Sequence, residues 1–221
     1  MRMLMLAAVL AVSTSVRAGG PVTFESLLAE MVDRQAIARF PDPAYTCKQF
    51  SSYDRASTKP DDPKTWFANG DYNQFLRTED VPTPGGVTRK EWVLADMDGP
   101  GAIVRIWSAN PKGNIRVYVD GAVALEAPMA DALGGKWKVA KPLSEECSRG
   151  WNLYLPIPYA KHCKVTSDSD GFYYQVNYRT YAAGTAVQSM TLDSISVSAE
   201  AISRTNGILA PTGTRDRGAP P

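Results

Sequence analysis

Residues with metal-ligand or nucleophile chemistry are scarce in this sequence. It has one histidine, His162, and three cysteines among 221 residues, with no Cys-x-x-Cys pair. A metal site with several histidine ligands is therefore excluded, and a zinc knuckle or a dithiol redox motif is not expected. A Ser-His-Asp triad would depend on His162, yet the sequence lacks the Gly-x-Ser-x-Gly turn of many such hydrolases.

Loop carboxylates leave one kind of metal site open. Asp61-Asp62 and Asp168-Ser-Asp170-Gly171 supply the oxygen ligands that a hard cation such as Ca²⁺ prefers. Neither stretch matches the loop of an EF-hand, and solvated aspartates in turns are the simpler interpretation. We predict no metal site and no cofactor.

Strongly charged segments and long apolar runs are also missing. The net charge is +1, from 24 Lys and Arg against 23 Asp and Glu, and no basic block occurs. The sequence therefore predicts no nucleic-acid partner. The apolar run over residues 4–12 is too short to span a bilayer.

That apolar run has the context of a targeting segment. Arg2 precedes it, and Val16-Arg17-Ala18 follows as a cleavage site of small residues. This pattern predicts a signal peptide over residues 1–18, with an uncleaved N-terminal anchor as the alternative. We expect a secreted or periplasmic protein that does not touch the membrane after cleavage. Export permits disulfides, and Cys147 and Cys163 flank a strand-like segment, but the sequence leaves their pairing open.

Short β-branched and aromatic runs dominate the middle of the sequence. Residues 102–107 and 115–119 predict two strands, and the polar stretch between them predicts a turn that joins them as a core hairpin. Asp120-Gly121 is a tight-turn dipeptide, and it leads to a further short strand over residues 122–127. Further strands are expected within residues 49–55, 90–96, 151–157, 172–178 and 187–190.

Helical periodicity is confined to the two ends of the chain. Apolar residues recur at three- and four-residue spacing over residues 23–40, with Thr23 as the N-cap. A similar face runs over residues 191–206 and ends at Asn206-Gly207. Because helices and strands do not alternate, the pattern favours a mainly β protein, an antiparallel jelly-roll sandwich with one flanking helix at each end.

The predicted organisation therefore has five parts. After the signal peptide come an N-terminal helix over residues 19–41 and a jelly-roll sandwich over residues 42–190. A helix over residues 191–208 would lead toward a second domain, and residues 209–221 form a polar, Gly- and Pro-rich tail that is expected to be disordered.

Carboxylates are the remaining candidates for acid–base chemistry. Glycoside hydrolysis needs two of them, roughly 5 Å apart in retaining enzymes. Asp54, Asp71, Asp131 and Glu145 lie in loop-like stretches near aromatic residues, but no spacing pairs any two of them. Side chains that could stack on sugar rings, although each also suits the core or edge of a sandwich, are Tyr53, Trp66, Trp107 and Tyr173.

Several segments, in a fixed order, resemble the DUF2961 family, which includes glycoside hydrolase family 172. The strongest are Ser51-Ser-Tyr-Asp-Arg55, Leu94-Ala-Asp-Met-Asp-Gly-Pro-Gly-Ala-Ile-Val-Arg-Ile-Trp107 and Ile115-Arg-Val-Tyr-Val-Asp-Gly121. Weaker matches follow at residues 128–134, 152–158 and 172–178, and together they cover about residues 24–204. The sequence departs at the family's Gly-Asp-Phe-Phe-Gly-like loop, where it reads Ala130-Asp131-Ala132-Leu133-Gly134.

The resemblance implies a secreted carbohydrate-active protein. Family members are built from two jelly rolls, assemble as trimers or higher multiples, and cleave or rearrange fructofuranosides or arabinofuranosides with retention. Their two catalytic glutamates lie in the second half, beyond the strand that residues 172–178 match. This sequence has no position that matches the pair, so it resembles the N-terminal half of such an enzyme.

Two functional hypotheses follow from this resemblance. In the first, the chain is the substrate-contacting and assembly half of a furanoside-acting hydrolase and is inactive alone. It would then form a homo-oligomer and contain no catalytic residue. In the second, it is a non-catalytic carbohydrate-binding or scaffolding sandwich. In the first hypothesis, the residues expected to contact substrate are Tyr53, Asp54, Arg55, Trp107 and Asp131.

Overall fold

The computed structural model describes residues 20–59 and 61–210. The predicted signal peptide and residues 211–221 of the predicted tail lie outside these ranges. The described residues contain eleven strands and four α-helices. The strands are β1 (Tyr45–Ser51), β2 (Arg77–Pro82), β3 (Thr88–Asp98), β4 (Gly101–Ala109), β5 (Asn114–Val119), β6 (Ala122–Pro128), β7 (Ser144–Cys147), β8 (Gly150–Leu153), β9 (Ile157–Tyr159), β10 (His162–Ser167) and β11 (Tyr173–Tyr181). The helices are α1 (Phe24–Glu30), α2 (Met129–Leu133), α3 (Ser194–Val197) and α4 (Ala199–Leu209).

The strands form two antiparallel sheets that pack as a sandwich. One sheet has the order β1-β11-β4-β8-β7, with β9 also paired to β4, and the other has the order β2-β3-β10-β5-β6. Along the chain, β3, β4 and β5 alternate between the two sheets, as do β9, β10 and β11. This alternation is the strand order of a jelly roll, so the predicted fold class is confirmed.

The core lies between the inward faces of the two sheets. Alternation with period two sends β-branched and aliphatic side chains inward, and Ile103, Ile106, Val117, Val165 and Val176 are all buried there. Fully burying a side chain of this size contributes about 1.5–3 kcal/mol, so the inward faces supply most of the stabilisation that holds the sheets together.

The predicted hairpin of residues 102–119 is wrong. β4 and β5 lie in different sheets, and the polar connection between them crosses from one sheet to the other. Asn110 and Gly113 both take positive φ in this connection, at 59° and 63°. β4 pairs instead with β11, β8 and β9, so its apolar face meets that of β5 across the core. The hairpin at Asp120-Gly121 is confirmed, because β5 and β6 pair on either side of it.

Two other strand predictions need correction. The predicted strand over residues 151–157 is divided into β8 and β9, with Pro156 between them, because proline cannot donate a ladder hydrogen bond. Residues 187–190 form only an isolated bridge, between Val187 and Val22. The strands β2, β7 and β10 were not predicted.

The N-terminal helix is much shorter than the predicted span of residues 23–40. Thr23 caps α1 as predicted, in a capping box with Ser26. After Glu30 the chain turns, because the Asp33 carboxylate accepts hydrogen bonds from the Gln35 backbone N–H and the Arg39 side chain, which compete with helical pairing. A short 3₁₀ turn, Ala36–Ala38, is all that follows.

The C-terminal helical region is divided into α3 and α4. Ile195 and Ile202 are buried as the periodicity predicts, but Leu192 is half exposed. α4 continues through Gly207, because the side-chain oxygen of Asn206 accepts from the Leu143 backbone N–H, at 3.1 Å, instead of ending the helix. Within the described residues, none of the helices combines the length and the apolar character that crossing a membrane requires.

α1 covers one half of the outer face of the six-stranded sheet. Val22 and Leu27 pack there on Ala102 and Tyr181 in a small apolar cluster separate from the main core. Arg179 adds an ion pair to Glu30, with nitrogen and oxygen 2.9 Å apart. The other half of this outer face, toward Ala109 of β4, contains the candidate site.

Candidate functional site

Most of the predicted contact residues gather at one end of the sandwich. Tyr53, Asp54 and Arg55 follow one residue after the end of β1, whose last residue pairs with β11 at Gln175. Gln175 in turn pairs with Trp107 of β4, so Trp107 lies two strands from the end of β1, about 10 Å away. The connection between β4 and β5 begins at this end of β4.

Asp131 lies on α2, which packs beside the same connection. The Met129 backbone N–H donates to the Gly113 carbonyl at 2.8 Å and fixes the start of this helix. In residues 20–59 and 61–210, no hydrogen bond or ion pair joins the Asp131 side chain to another residue. Its contact with substrate stays a prediction.

Arg55 holds the loop that presents Tyr53. Its guanidinium donates to the backbone carbonyls of Ser51, at 2.9 Å, and of Tyr53. Its Cζ atom also lies 4.0 Å from the centre of the Tyr53 ring, which is a cation–π contact. The Tyr53 side chain is half exposed, so the loop offers an aromatic face to solvent in a fixed position.

The Asp54 carboxylate is engaged within its own loop. One oxygen accepts from the Ala56 backbone N–H at 2.9 Å, and the other accepts from the Gly70 backbone N–H at 2.7 Å. These hydrogen bonds hold the pKa of Asp54 below its usual value. The Asp54 backbone N–H donates to Asp71 at 2.9 Å, so the two carboxylates tie residues 54–71 together.

Trp107 lies on the outer face of the six-stranded sheet. Its neighbours Ile106 and Ser108 are buried on the inward side, while the indole is only partly buried. It packs over Gly150, where a Cβ atom would approach the indole Nε1 to 2.5 Å, so only glycine fits beneath the ring. Strand register places five residues in one row across the sheet: Ser51, Gln175, Trp107, Asn152 and Glu145.

Arg105 organises the amide groups around this row. Its guanidinium donates to Gln175 Oε1 at 3.0 Å, to Asn152 Oδ1 at 3.1 Å and to Asn177 Oδ1 at 3.4 Å. Beside it, Asn177 Nδ2 donates to Gln49 Oε1 at 2.8 Å. We call this region the amide surface, and it comprises Gln49, Arg105, Trp107, Asn152, Tyr154, Gln175 and Asn177.

Apart from Trp107, the sequence analysis did not identify the residues of the amide surface. They are far apart in the chain and meet only through strand pairing, since Arg105 is 70 residues from Gln175. One signal was present, because Gln175 and Asn177 alternate with apolar residues in the most strongly β-like segment. Outward amides in such a segment mark a polar surface that charge counting overlooks.

The outer face of the five-stranded sheet has a different chemistry. We call its charged side chains the ionic surface. Glu91 is fully buried and accepts hydrogen bonds from Arg89, Tyr118 and Thr166. Burial raises the pKa of Glu91, but these hydrogen bonds outweigh it and leave the pKa below its usual value. Other members of the ionic surface are Arg77, Glu79, Asp96, Arg116, Glu126, His162, Lys164 and Asp168.

Two residues considered for chemistry belong to this ionic surface. The imidazole Nε2 of His162 is 2.6 Å from an oxygen of Asp96, which also pairs with Arg77. Asp168 accepts from the Asn114 backbone at 2.7 Å and pairs with Arg116 at 3.1 Å. Both therefore take part in packing of the sheet.

The structure shows no preformed metal site in the ranges it describes. No group of three or more His, Cys, Asp or Glu side chains within residues 20–59 and 61–210 is arranged to hold a metal ion. Cys147 and Cys163 are both free, with Cys147 exposed and Cys163 buried, so the disulfide left open by the sequence does not form. Burial raises the pKa of the Cys163 thiol, which keeps it protonated.

A separate groove of about 730 Å³ lies between α1 and the segment leading to β1. Ile37 and Phe40 line it and are 88% and 99% exposed, and Tyr45 and Arg179 form part of its wall. It lies by the half of the sheet that α1 covers, away from the amide surface.

A family model identifies the same sandwich. The family model described as the GH172 first beta-sandwich domain matches residues 43–196. No curated protein matches the chain significantly. Among solved structures, the chain is similar to the catalytic domain of a GH87 alpha-1,3-glucanase in complex with nigerose, at 11% identity and a TM-score of 0.26, over 62% of this chain and 28% of that one. The D1069A form of that domain in complex with tetrasaccharides matches at 10% identity and a TM-score of 0.23, over the same shares.

Proposed function

Because the chain belongs to glycoside hydrolase family 172 and contains its first β-sandwich domain, we propose that it is the substrate-contacting and assembly half of a secreted, furanoside-acting hydrolase. On this proposal the amide surface and the Tyr53 loop contact the sugar. The second half of the active site, with the catalytic glutamate pair, comes from another domain.

The placement of Trp107 among fixed amides is the observation that carries this proposal. An indole next to hydrogen-bonding groups suits a sugar, which has both apolar C–H faces and hydroxyl groups. The Tyr53 ring lies at the same end of the sandwich and adds a second exposed aromatic face. A purely structural sheet face would have no need to keep Trp107, Gln175 and Asn177 partly exposed.

The carboxylates of this region support the assignment of catalysis to another domain. Retaining hydrolysis needs two carboxylates about 5 Å apart on either side of the bond. Glu145 is the one carboxylate that strand register places in the row through Trp107. The Asp54 carboxylate, outside the row, already accepts hydrogen bonds from two backbone N–H groups. The row therefore contains one carboxylate, Glu145, where retaining hydrolysis needs two.

Turnover assays with the purified chain test this division of labour. We expect no hydrolysis of aryl arabinofuranosides or fructofuranosides by the chain alone. We expect measurable binding of the corresponding sugars, weakened about tenfold or more by Trp107→Ala. Val87→Ala is the control, because Val87 is an exposed apolar residue between β2 and β3, outside both the amide surface and the Tyr53 loop. Robust turnover by the chain, abolished at Asp54 or Asp131, would overturn the proposal.

The exposed apolar residues of the groove favour the assembly role. Ile37 and Phe40 are almost fully exposed in the single chain. Apolar residues clustered on a surface commonly mark a contact with another protein. We expect the chain to form homo-oligomers, as trimers or multiples of them. Light scattering at several concentrations checks this, and a monodisperse, highly soluble monomer would contradict it.

A non-catalytic binding or scaffolding sandwich is the second candidate function. The largely neutral, self-organised amide surface fits a glycan-binding module equally well. Adding a separately produced second jelly roll of the family distinguishes the two candidates. Gain of furanosidase activity in the mixture supports the enzyme half, whereas unchanged binding with no activity supports the binding module.

A further inference from the structure

We infer that the amide surface binds a furanoside chain laid across the strands, instead of a single sugar unit at a loop end. This inference rests on the proposed function and specifies the class of ligand for the same surface. The structural basis is the row Ser51, Gln175, Trp107, Asn152 and Glu145, which crosses five neighbouring strands.

The row is long enough for several sugar units. Adjacent strands are about 4.8 Å apart, so the four intervals from Ser51 to Glu145 span roughly 19 Å. A single furanose ring fills only a fraction of this distance. A ligand that uses the whole row must therefore contain more than one unit.

The hydrogen-bonding character of the row is fixed by Arg105. A guanidinium can only donate, so it must face the carbonyl oxygens of Gln175, Asn152 and Asn177. Their NH₂ groups are consequently turned away from Arg105. The Asn177 group gives one hydrogen to Gln49, and the Asn152 group gives one to the Gly150 carbonyl.

Spare N–H donors therefore remain along the row. Each NH₂ group has two hydrogens, so Asn177, which lies beside the row and is partly exposed, keeps one, and Asn152 keeps one on a largely buried side chain. The Gln175 NH₂ group has no acceptor among the described residues. Oriented N–H donors pair with the oxygens of sugar hydroxyl groups, and the neighbouring rings of Trp107 and Tyr154 pack against sugar C–H groups.

The surface is also rigid before any ligand arrives. Its side chains stand on paired strands, and Arg105 holds three of them by hydrogen bonds. Groups that are already ordered lose little conformational entropy on binding, so each contact contributes more of its free energy to affinity.

Glu145 gives the row a direction. It lies on the edge strand β7, at the opposite end from Ser51, and its side chain is partly exposed. A carboxylate accepts strongly from hydroxyl groups, whereas the amides in the middle of the row offer N–H donors. A chain of sugars therefore meets donors along the row and a strong acceptor at its end.

Isothermal titration calorimetry with furanoside oligomers of increasing length tests the inference. The probes are arabinofuranose and fructofuranose oligomers from one to five units, titrated into the full chain. We expect affinity to rise with each added unit until the row is filled, and then to level off. Affinity that is the same for one unit and for five units would overturn the inference but leave single-sugar contact intact.

Variants in the middle and at the end of the row localise the effect. We expect Arg105→Met to weaken binding of the longest oligomer by about tenfold and of the monosaccharide by less than about twofold. Glu145→Gln should remove only the gain from the last unit. Gln175→Ala repeats the central test without removing a charge, in case Arg105→Met does not fold. Val87→Ala is again the control.

The outcome is separable from that of the proposed function. Absence of binding to every oligomer would overturn the extended site, while activity in a mixture with the second jelly roll would still support the enzyme half. Equal losses at all lengths in Arg105→Met would mean that Arg105 supports the fold and does not organise an extended site. Circular dichroism of each variant verifies the fold.

Discussion

The polar side chains on the two outer faces of the sandwich are paired in different ways. On the ionic surface, carboxylates and guanidinium groups satisfy one another, and Glu91 and Arg116 are buried although they lie outside the core. On the amide surface, a single guanidinium, that of Arg105, orients neutral amide side chains. Some of their N–H donors have no acceptor among the described residues. A face whose charges are all paired contributes to the fold, whereas a face with spare, fixed donors can bind a ligand.

The comparison predicts a large loss of stability from breaking the ionic surface at its centre. Glu91→Gln removes the charge that Arg89 and Arg116 face in a buried place. We expect the free energy of unfolding to fall by about 3–5 kcal/mol, because Arg89 loses its ion-pair partner and the buried Arg116 loses one of the three carboxylates around it. Urea unfolding followed by tryptophan fluorescence measures this.

Glu79→Gln is the control on the same face. Glu79 pairs with Arg77 and Lys164, but its side chain keeps 25% of its exposure, so solvent screens the loss. We expect a cost of about 1 kcal/mol or less. Equal costs for the two variants would show that the ionic surface has no buried centre. Glycan binding should be unchanged in both.

Exchanging arginine for lysine on each face gives a smaller contrast. Arg116 is nearly fully buried and donates to Glu126 and Asp168 with separate nitrogens, which lysine cannot reproduce. We expect Arg116→Lys to lower the free energy of unfolding by about 1–3 kcal/mol. Arg105→Lys, on the more open face, should cost about 1 kcal/mol or less. Thermal unfolding of both variants checks the difference, and a larger cost at Arg105 would reverse the assignment of the faces.

Acid should remove part of the stabilisation that the Glu91 carboxylate contributes. We expect this loss to be smaller than the loss caused by Glu91→Gln. The pKa of Glu91 is below its unfolded value, so its contribution is fully present above the unfolded pKa, near 4.3, and is lost as the pH falls through the folded pKa. The gap in stability between wild type and Glu91→Gln should therefore narrow as the pH falls from about 7 to about 3. Urea midpoints at a series of pH values measure the gap, and a constant gap would contradict the linkage.

The smallest effect is expected in the loop beside the amide surface. Asp54→Asn leaves one acceptor oxygen where the Ala56 and Gly70 backbone N–H groups need two. We expect faster hydrogen exchange at the Gly70 amide, with little change in global unfolding. Asp71→Asn is the matched control, since its remaining oxygen can still accept from the Asp54 backbone N–H. Equally fast exchange at Gly70 in both variants would refute the role of Asp54.

Local chemistry decided which parts of the fold the sequence could predict. The Asp120-Gly121 turn was predictable because two adjacent residues define it, with φ of 51° and 88°. The N-cap at Thr23 was predictable for the same reason. The length of α1 was not, because the Asp33 side chain ends the helical region through hydrogen bonds that periodicity does not report.

Strand pairing could not be predicted from local pattern in the same way. The apolar faces of β4 and β5 fit a hairpin and a sandwich crossing equally well, and only pairing with β11, β8 and β9 decides between them. β10 was hard to assign because its outward residues His162, Lys164 and Thr166 are polar. They are stabilised there by Asp96, Glu79 and Glu91, which belong to a distant part of the chain.

The candidate site was predictable only in part. Aromatic residues near loops indicated Tyr53 and Trp107, and the structure places both at one end of the sandwich. Asp54 was recognised as a loop carboxylate, but its two backbone hydrogen bonds are visible only in three dimensions. Arg105 gave no signal in the sequence, since its partners lie 47 to 72 residues away.

The position of β11 has a consequence for synthesis of the protein on the ribosome. β11 lies between β1 and β4, so the first and fourth strands share a neighbour that is the last strand to be made. Until Tyr181 has left the exit tunnel, β1 has no partner and one edge of β4 stays unpaired. The six-stranded sheet therefore closes late, and the emerging chain must keep both edges from pairing with other chains until then.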